Sequence, residues 1–247
     1  MTELSGKTAL ITGALGTIGR ALVKSYAEQG ASVIALDRPD AEGAVATLAA
    51  IAPGIRYFGC DLEDLVGTQA AVTELVKEVG GVDILVNNAA YVHNRPYDAF
   101  SIEEYEQELR INSSAAFVLS RVVSTHMKER RQGRIINLTS MTLTGHWDGF
   151  VPYIASKGAM LGLIKGFARE LGSFGITVNG ISPGAVMSEA EFRHYGDRQE
   201  EYHNWILERQ SVKRRIEPAD IANLAVFLAS PRADLISGQN IQVDGGW

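Results

Sequence analysis

Short runs of apolar, often β-branched residues alternate along the chain with longer segments in which apolar residues recur at helical spacing. The runs predict strands of a sheet, and the longer segments predict helices between them. The predicted strands are Thr8–Thr12, Ser32–Leu36, Ile55–Phe58, Val82–Val86, Arg134–Leu138, Thr177–Gly180 and Asn240–Val243. The predicted helices include Ile18–Gln29, Leu65–Val79, Ile102–Glu129 and Tyr153–Leu171.

Regular strand–helix alternation is typical of βαβ units, in which the strands run parallel. Several of the predicted strands are apolar on both faces, as expected when helices cover both sides of a sheet. With right-handed crossovers, the pattern predicts an α/β, Rossmann-type doubly wound fold with a seven-stranded, mostly parallel sheet. No linker, repeat or low-complexity run divides the chain, so we expect residues 1–247 to form a single domain.

One stretch, residues 187–215, breaks the alternation. It is polar and aromatic, has helical character and contains no predicted strand. A long excursion of this kind in a compact domain is usually functional, so we predict a substrate-binding lid.

The composition is that of an ordinary globular protein, with 46% hydrophobic and 21% charged residues. The net charge is −6 and the basic residues form no extended cluster, which argues against a nucleic-acid surface. The single cysteine, Cys60, excludes an intramolecular disulfide. No run approaches the ~20 apolar residues that span a bilayer, and the N-terminus lacks a signal-peptide pattern. We therefore expect a cytoplasmic protein with no membrane contact, and no metal site is predicted.

A glycine-rich turn, Thr12 to Gly19, follows the first predicted strand and opens a helix. Glycine there allows a tight turn and lets backbone N–H groups approach a pyrophosphate at the helix N-terminus. Asp37 ends the second strand, about 20 residues further on, where a carboxylate can bind the adenosine ribose hydroxyls and repel the 2′-phosphate of NADP. Arg38 could instead pair with that phosphate. The position of Asp37 favours NAD over NADP.

Tyr153 and Lys157 stand at i and i+4 at the start of a helical pattern and share one face of that helix. An ammonium near a phenol stabilises the phenolate, which predicts a lowered pKa for Tyr153 and a role as general acid or base. Ser140 follows the strand Arg134–Leu138, at the sheet edge where ligands of open α/β sheets bind. The alternative for Ser140 is a structural helix cap.

Taken together, these motifs resemble the short-chain dehydrogenase/reductase family over essentially the whole chain. Further markers are Asn87-Asn88-Ala89 after the fourth strand, Asn112, Pro183-Gly184 and the ending Val243-Asp244-Gly245-Gly246. The resemblance implies hydride transfer between a nicotinamide and a carbon that bears a hydroxyl or carbonyl group.

The resemblance also implies a role for each matching residue. Tyr153 would exchange a proton with the substrate oxygen, and Ser140 would orient the substrate. Lys157 would lower the pKa of Tyr153 and hold the nicotinamide ribose. Asn112 would anchor a water that relays protons through Lys157. The cofactor-binding positions would be Gly13, Gly16, Thr17, Ile18, Gly19, Asp37, Asp61, Leu62, Asn88, Ala89, Tyr153, Lys157, Pro183, Gly184, Val186 and Ser188.

The sequence departs from the family pattern at two positions. Thr17 stands where the glycine-rich turn usually has its second glycine, which leaves the pyrophosphate geometry open. Ala90 replaces the glycine of Asn-Asn-Ala-Gly and adds a β-carbon near the nicotinamide pocket. We therefore expect a negative φ at Ala90.

Three loops are expected to line the substrate cleft, with His93, His146 and Trp147 as candidate binding residues beside Ser140 and Tyr153. Their mixture of aromatic faces and hydrogen-bonding groups suits a sugar, polyol or cyclic alcohol better than a long acyl chain. Small residues along the helix after Tyr153 allow close contact with another helix, and the resemblance to the family implies a subunit interface there, in a homodimer or homotetramer. They could equally pack on the protein's own sheet.

Three functions compete. The sequence favours an NAD-dependent dehydrogenase that interconverts a secondary alcohol and a ketone. The alternatives are an NADPH-dependent reductase of carbonyl or 3-oxoacyl-carrier substrates and a non-catalytic dinucleotide-sensing protein. Asp37 argues against the first alternative, and the complete set of Asn112, Ser140, Tyr153 and Lys157 argues against the second.

Overall fold

The computed structural model describes residues 2–39 and 41–247. Within them, seven strands form one sheet in the order β3-β2-β1-β4-β5-β6-β7. The predicted doubly wound fold is confirmed. The sheet was predicted to be mostly parallel, and in the structure every neighbouring pair of strands is parallel. The strands are β1 (Thr8–Thr12), β2 (Ser32–Asp37), β3 (Arg56–Gly59), β4 (Ile84–Asn87), β5 (Gly133–Leu138), β6 (Ile176–Pro183) and β7 (Asn240–Val243).

Helices connect the strands and cover the two faces of the sheet. They are α1 (Thr17–Glu28), α2 (Ala44–Ile51), α3 (Leu65–Glu78), α4 (Ile102–Leu109), α5 (Ala115–Arg130), α6 (Val151–Leu171), α7 (Glu189–Tyr195), α8 (Gln199–Arg209) and α9 (Pro218–Ala229). The helix predicted over Ile102–Glu129 is interrupted by a π-helical turn, Arg110–Ser114, between α4 and α5. Such turns often mark functional positions.

Two apolar layers hold the helices against the sheet. Successive residues of β1 point to opposite faces, so Ile11 joins the layer under α1 and α9 and Leu10 joins the layer under α3 and α5. This explains why the three central residues of β1, Ala9 to Ile11, are all apolar. Tyr26 of α1 crosses to α9, where its buried hydroxyl donates a 3.0 Å hydrogen bond to the Ala225 carbonyl.

The order of the strands fixes where a ligand can bind. β1 lies between β2 and β4, so consecutive units of the chain wind away from it in opposite directions. In open α/β sheets this reversal leaves a crevice at the carboxyl ends of the strands. Because all strands are parallel, the residues that follow β1, β2, β4, β5 and β6 meet at this one edge.

Residues 2–39 and 41–247 also bear on membrane and metal binding. None of the helices there is both long and apolar enough to cross a membrane. No group of histidine, cysteine, aspartate and glutamate side chains in that part of the chain has the geometry to hold a metal ion.

Candidate active site

The glycine-rich turn after β1 needs glycine at two of its positions. Gly13 has φ +62°, and a β-carbon there would lie 2.7 Å from the Ala89 Cα. At Gly19 a β-carbon would collide with the Gly13 carbonyl oxygen, whereas at Gly16 it would lie 3.4 Å from that oxygen, an ordinary contact. The turn therefore leaves a concave backbone surface that side chains at Gly13 and Gly19 would block.

The turn leads directly into the N-terminus of α1. Gly16 is the N-cap and offers no side chain, and the first turn, which begins with Thr17 and Ile18, contains no acidic residue. The first backbone N–H groups of a helix are left without intrahelical partners and favour an anion. This end of α1 thus fits the pyrophosphate of a dinucleotide.

Thr17, the first departure from the family pattern, occupies the first position of α1. It tolerates a side chain because the steric constraint falls on Gly13 and Gly19 instead. Its hydroxyl accepts a hydrogen bond of 3.3 Å from the Glu189 N–H at the start of α7. At the second departure, φ is not positive for Ala90, as predicted, since Arg131 is the one described non-glycine residue with positive φ.

Asp37 lies half-buried at the end of β2 and faces the glycine-rich turn. Its carboxylate accepts hydrogen bonds from the Leu15 N–H at 2.8 Å and from the Arg38 N–H at 2.9 Å. The carboxylate is therefore held in place beside the turn, where it can also accept from ribose hydroxyls.

Hydrogen bonds join the ends of β1 and β4. The Thr12 hydroxyl accepts from the N–H groups of Asn88 and Ala89, both at 3.0 Å. The Asn88 amide donates to the carbonyls of Thr12 at 2.9 Å and Gly13 at 3.1 Å. This network holds the two strand ends together below the crevice. From the sequence, Thr12 was assigned only to the glycine-rich turn, and its role in joining β1 to β4 was missed.

The other proposed cofactor positions follow β3 and β6. Asp61 is exposed and accepts from the Glu63 N–H at 3.0 Å, while Leu62 is buried. Pro183 ends β6, and a β-carbon on Gly184 would lie 2.9 Å from the Asp244 Cα. Beyond it, Val186 pairs with Ile216 in an isolated parallel bridge, and Ser188 caps α7. All of these residues lie at the carboxyl edge of the sheet.

Tyr153 and Lys157 lie in the first turns of α6 and face the end of β5. Lys157 is only 1% exposed, and its Nζ donates a 2.7 Å hydrogen bond to the Leu138 carbonyl. Burial lowers the pKa of the Lys157 ammonium to about 8. The same Nζ lies 5.4 Å from the centre of the Tyr153 ring, so the pair predicted from the i, i+4 spacing is in contact.

The predicted lowering of the phenol pKa is wrong for this structure. Burial raises the pKa of Tyr153 to about 12, although its hydrogen bond with Ser140 opposes the rise, and the nearby Glu108 carboxylate adds to it. The Lys157 ammonium is engaged by the Leu138 carbonyl and lies over the ring, so desolvation of the phenol dominates. Ser140 is nevertheless where it was predicted, and its hydroxyl also accepts from the Thr142 N–H at 3.1 Å.

Asn112 is buried at the centre of the π-helical turn. Its side chain binds both backbone groups of Tyr91: Oδ1 accepts from the N–H at 2.7 Å, and Nδ2 donates to the carbonyl at 2.8 Å. Nδ2 also donates at 2.9 Å to the Ser156 hydroxyl, which itself donates at 2.7 Å to the Tyr153 carbonyl. Asn112 therefore couples the loop after β4 to the first turn of α6, which holds Tyr153.

The three substrate-binding candidates have different surroundings, although hydrogen bonds from Asn94 to the Asp148 carbonyl and from the Arg95 N–H to the Gly149 carbonyl join their two loops. His93 packs beside Tyr91, and its Nδ1 lies 3.8 Å from a carboxylate oxygen of Glu108. Trp147 belongs instead to an aromatic cluster with residues of the excursion and the C-terminus: Tyr195, Tyr202, Trp205 and Trp247. A cavity of about 220 Å³ opens in this cluster. His146 is exposed.

The excursion leaves and rejoins the body of the protein at one point. The Val186–Ile216 bridge closes its base, and inside it Glu191 and Arg215 form a buried ion pair at 2.6 Å. Burial raises the pKa of Glu191, and Arg215 opposes that rise. Sequence reasoning missed this pair because the two charged residues lie at opposite ends of the segment.

Comparisons with known proteins agree with this geometry. A family model described as enoyl-(acyl carrier protein) reductase matches residues 13–247. D-threitol dehydrogenase of Mycolicibacterium smegmatis is 37% identical over 249 residues, which cover 99% of this chain and 94% of that enzyme. The 5-keto-D-gluconate 5-reductase of Escherichia coli K12 is 34% identical over 246 residues, covering 99% and 96%. A crystal structure of a gluconate 5-dehydrogenase from Burkholderia cenocepacia J2315, in complex with NADP and tartrate, has a TM-score of 0.89 and 31% identity, covering 99% and 96%.

Proposed function

The chain belongs to the short-chain dehydrogenase/reductase family, and on that premise we propose that it is an NAD(H)-dependent dehydrogenase of sugars or polyols. It would interconvert a secondary hydroxyl of such a substrate and the corresponding ketone. The observation that carries the proposal is the convergence of Tyr153, Lys157 and Ser140 with the glycine-rich turn at one edge of the sheet. A polyol dehydrogenase and a ketogluconate reductase among the relatives support the substrate class.

In this proposal, Ser140 and Tyr153 act directly on the substrate oxygen, and Lys157 acts on the nicotinamide ribose and in proton transfer. Ser140 Oγ binds the substrate oxygen, and Tyr153 Oη removes its proton when the alcohol is oxidised or returns one when the ketone is reduced. Lys157 Nζ holds the nicotinamide ribose and passes the proton on through water held near Asn112. A bound nicotinamide supplies the acceptor or donor of the hydride.

The elevated pKa of Tyr153 defines what binding must accomplish. A phenol whose pKa is about 12 is protonated at neutral pH, and in this form it is ready to donate to a ketone. Oxidation requires the phenolate, which a cation nearby would stabilise.

We propose NAD rather than NADP as the preferred cofactor. The Asp37 carboxylate is fixed beside the glycine-rich turn by the Leu15 N–H, and a fixed negative charge there opposes a 2′-phosphate. The related gluconate 5-dehydrogenase was crystallised with NADP, which makes the cofactor preference a point to measure for this chain.

A comparison of three reactions tests the proposed function. The purified protein is incubated with NAD⁺ and D-threitol or D-gluconate, with NADH and 5-keto-D-gluconate, and with NADPH and a 3-oxoacyl thioester. We expect formation or consumption of NADH with at least one polyhydroxylated substrate. Turnover of the thioester with NADPH alone would instead identify an acyl-carrier reductase, the second reading of the sequence.

The excursion is proposed to close over the substrate as a lid. Its base is bridged at Val186 and Ile216, and its interior is held by the Glu191–Arg215 pair. Its first helix is fastened to the cofactor end of the protein by an ion pair between Glu189 and Arg20 and by the hydrogen bond to Thr17. All of these contacts lie near the base of the segment, so the part beyond them can move about that base.

Replacing Arg215 by methionine should loosen this segment. Removing one partner of a buried ion pair leaves an uncompensated charge and costs roughly 3–5 kcal/mol, whereas an apolar pair at the same place is tolerated. We expect limited proteolysis between residues 187 and 215 to become at least about tenfold faster, because local opening governs cleavage. The double variant Glu191→Leu/Arg215→Met should restore most of the resistance, and unchanged cleavage of Arg215→Met would contradict the assignment.

Assembly as a homodimer or homotetramer, in the cytoplasm, completes the proposal. On α6, a β-carbon on Gly162 or Gly166 would meet nothing within 4 Å in the described part of the chain. This face therefore does not pack on the protein's own sheet, the alternative open from the sequence. Beside it, Phe117 is exposed and stacks on Phe167 at 5.8 Å, which supports contact with a second subunit.

A further inference from the structure

One acidic side chain of α4 differs from its neighbours. Glu103 and Glu106 are exposed, whereas Glu108 is 0% exposed and lies one turn before Asn112. Its Oε1 accepts a 3.1 Å hydrogen bond from the His93 N–H, and its Oε2 has no hydrogen-bond partner in the described part of the chain. Burying a carboxylate with so few donors is costly, so its retention calls for a role beyond packing.

The His93 imidazole faces this carboxylate. Its Nδ1 lies 3.8 Å from Glu108 Oε1 and is itself buried without a hydrogen-bond partner among the described residues. Its Nε2 lies 3.3 Å from the Tyr91 hydroxyl, and the two rings meet edge to face with centres 4.7 Å apart. A carboxylate on the Nδ1 side favours the proton on that nitrogen, which leaves Nε2 as the acceptor of the Tyr91 proton.

This chain of groups ends beside the catalytic residues. Asn112 binds both backbone groups of Tyr91, and the Glu108 charge acts on the Tyr153 phenol. With its proton directed to His93, the Tyr91 oxygen keeps lone pairs that can accept from a substrate hydroxyl. The nearby Arg95 is paired with Glu104 on the outer side of α4.

We propose that Glu108 is a positioning residue that orients His93 and, through it, the Tyr91 hydroxyl, and that the Tyr91 oxygen binds a second hydroxyl of a polyhydroxylated substrate. The inference rests on the proposed function and deepens it. It identifies the wall of the site formed by Tyr91 and His93 as the part that distinguishes a polyol from a simple alcohol. An acyl chain placed against the same wall would leave its polar groups unpaired.

The test compares two substrates that differ in their extra hydroxyls, D-threitol and 2-butanol, each with NAD⁺. The readout is the ratio of kcat/KM for threitol to that for 2-butanol. We expect Glu108→Gln, His93→Phe and Tyr91→Phe each to lower this ratio about tenfold, mainly through a higher KM for threitol. Glu106→Gln, an exposed acid on the same helix, is the matched control and should leave the ratio unchanged.

A second measurement separates positioning from a merely structural role. Because Glu108 is buried with an unpartnered oxygen, Glu108→Gln should keep or raise Tm while it lowers the ratio. A fall in Tm with equal losses for both substrates would overturn the inference, as would an unchanged ratio. If the wild-type protein oxidises threitol and the variants keep the wild-type ratio, this inference alone is refuted. If the wild-type protein has no activity on any polyol, the proposed function is refuted as well.

Discussion

Replacing Tyr153 by phenylalanine should lower kcat by about a thousandfold or more, because general acid–base catalysis contributes roughly 10²–10⁴-fold. The change removes one oxygen atom from a half-buried side chain that is hydrogen-bonded to Ser140. The aromatic ring and its contact with Lys157 remain, so NADH affinity should change by less than about threefold. Steady-state kinetics and NADH fluorescence titration measure the two quantities separately.

The control for this substitution is Tyr97→Phe, which removes a phenol that is 74% exposed. It should leave kcat within about twofold of the wild type, since surface substitutions away from special features usually have small effects. If Tyr153→Phe kept a tenth or more of the wild-type kcat, the assignment of Tyr153 as the proton-transferring group would be wrong. If NADH binding were lost as well, the residue would serve the cofactor rather than the chemistry.

The fold could be predicted from the sequence because the signal is local and repeated. Each buried strand is a short apolar run, and the alternation with helices dictates parallel pairing. The predicted helix over Ile102–Glu129 lacked one detail that tertiary contacts set. The π-helical turn at Arg110–Ser114 divides what the periodicity shows as one helix, because the Asn112 side chain is drawn to the backbone of Tyr91.

The site was predictable to the extent that its residues follow strand ends. Asp37, Ser140 and Pro183 reach the same edge because the strands before them are parallel. The residues that were missed interact across long stretches of chain, as Glu108 does with His93 and Arg215 with Glu191. One signal for Glu108 was available, since a glutamate that stands one turn before Asn112 shares the inward face of that helix.

The environment of Tyr153 and Lys157 could not be predicted from spacing alone. An i, i+4 pair brings the two groups together, but the pKa of each depends on burial and on competing hydrogen bonds. The Leu138 carbonyl, supplied by a different strand, takes the hydrogen bond of the ammonium. Desolvation therefore acts on both groups in the direction of their neutral forms, raising the pKa of Tyr153 and lowering that of Lys157.

Changing Asp37 to asparagine should strongly weaken the preference for NAD⁺ over NADP⁺. The wild type should favour NAD⁺ over NADP⁺ in kcat/KM by on the order of a hundredfold, since opposing like charges costs several kcal/mol. Asparagine keeps an oxygen that can accept from the Leu15 N–H, so the turn stays in place while the charge is lost. The preference should then fall by at least about tenfold, mainly through a lower KM for NADP⁺.

The neighbouring Arg38 provides the matched control for this change. Its side chain is exposed beside Asp37, where its guanidinium can pair with a 2′-phosphate once the carboxylate charge is gone. The double variant Asp37→Asn/Arg38→Ala should therefore lose most of the NADP⁺ activity that Asp37→Asn gains, while NAD⁺ activity follows that of the single variant. A wild-type preference for NADP⁺ would contradict this assignment. It would show that the attraction of the Arg38 guanidinium for the 2′-phosphate exceeds the repulsion by the Asp37 carboxylate.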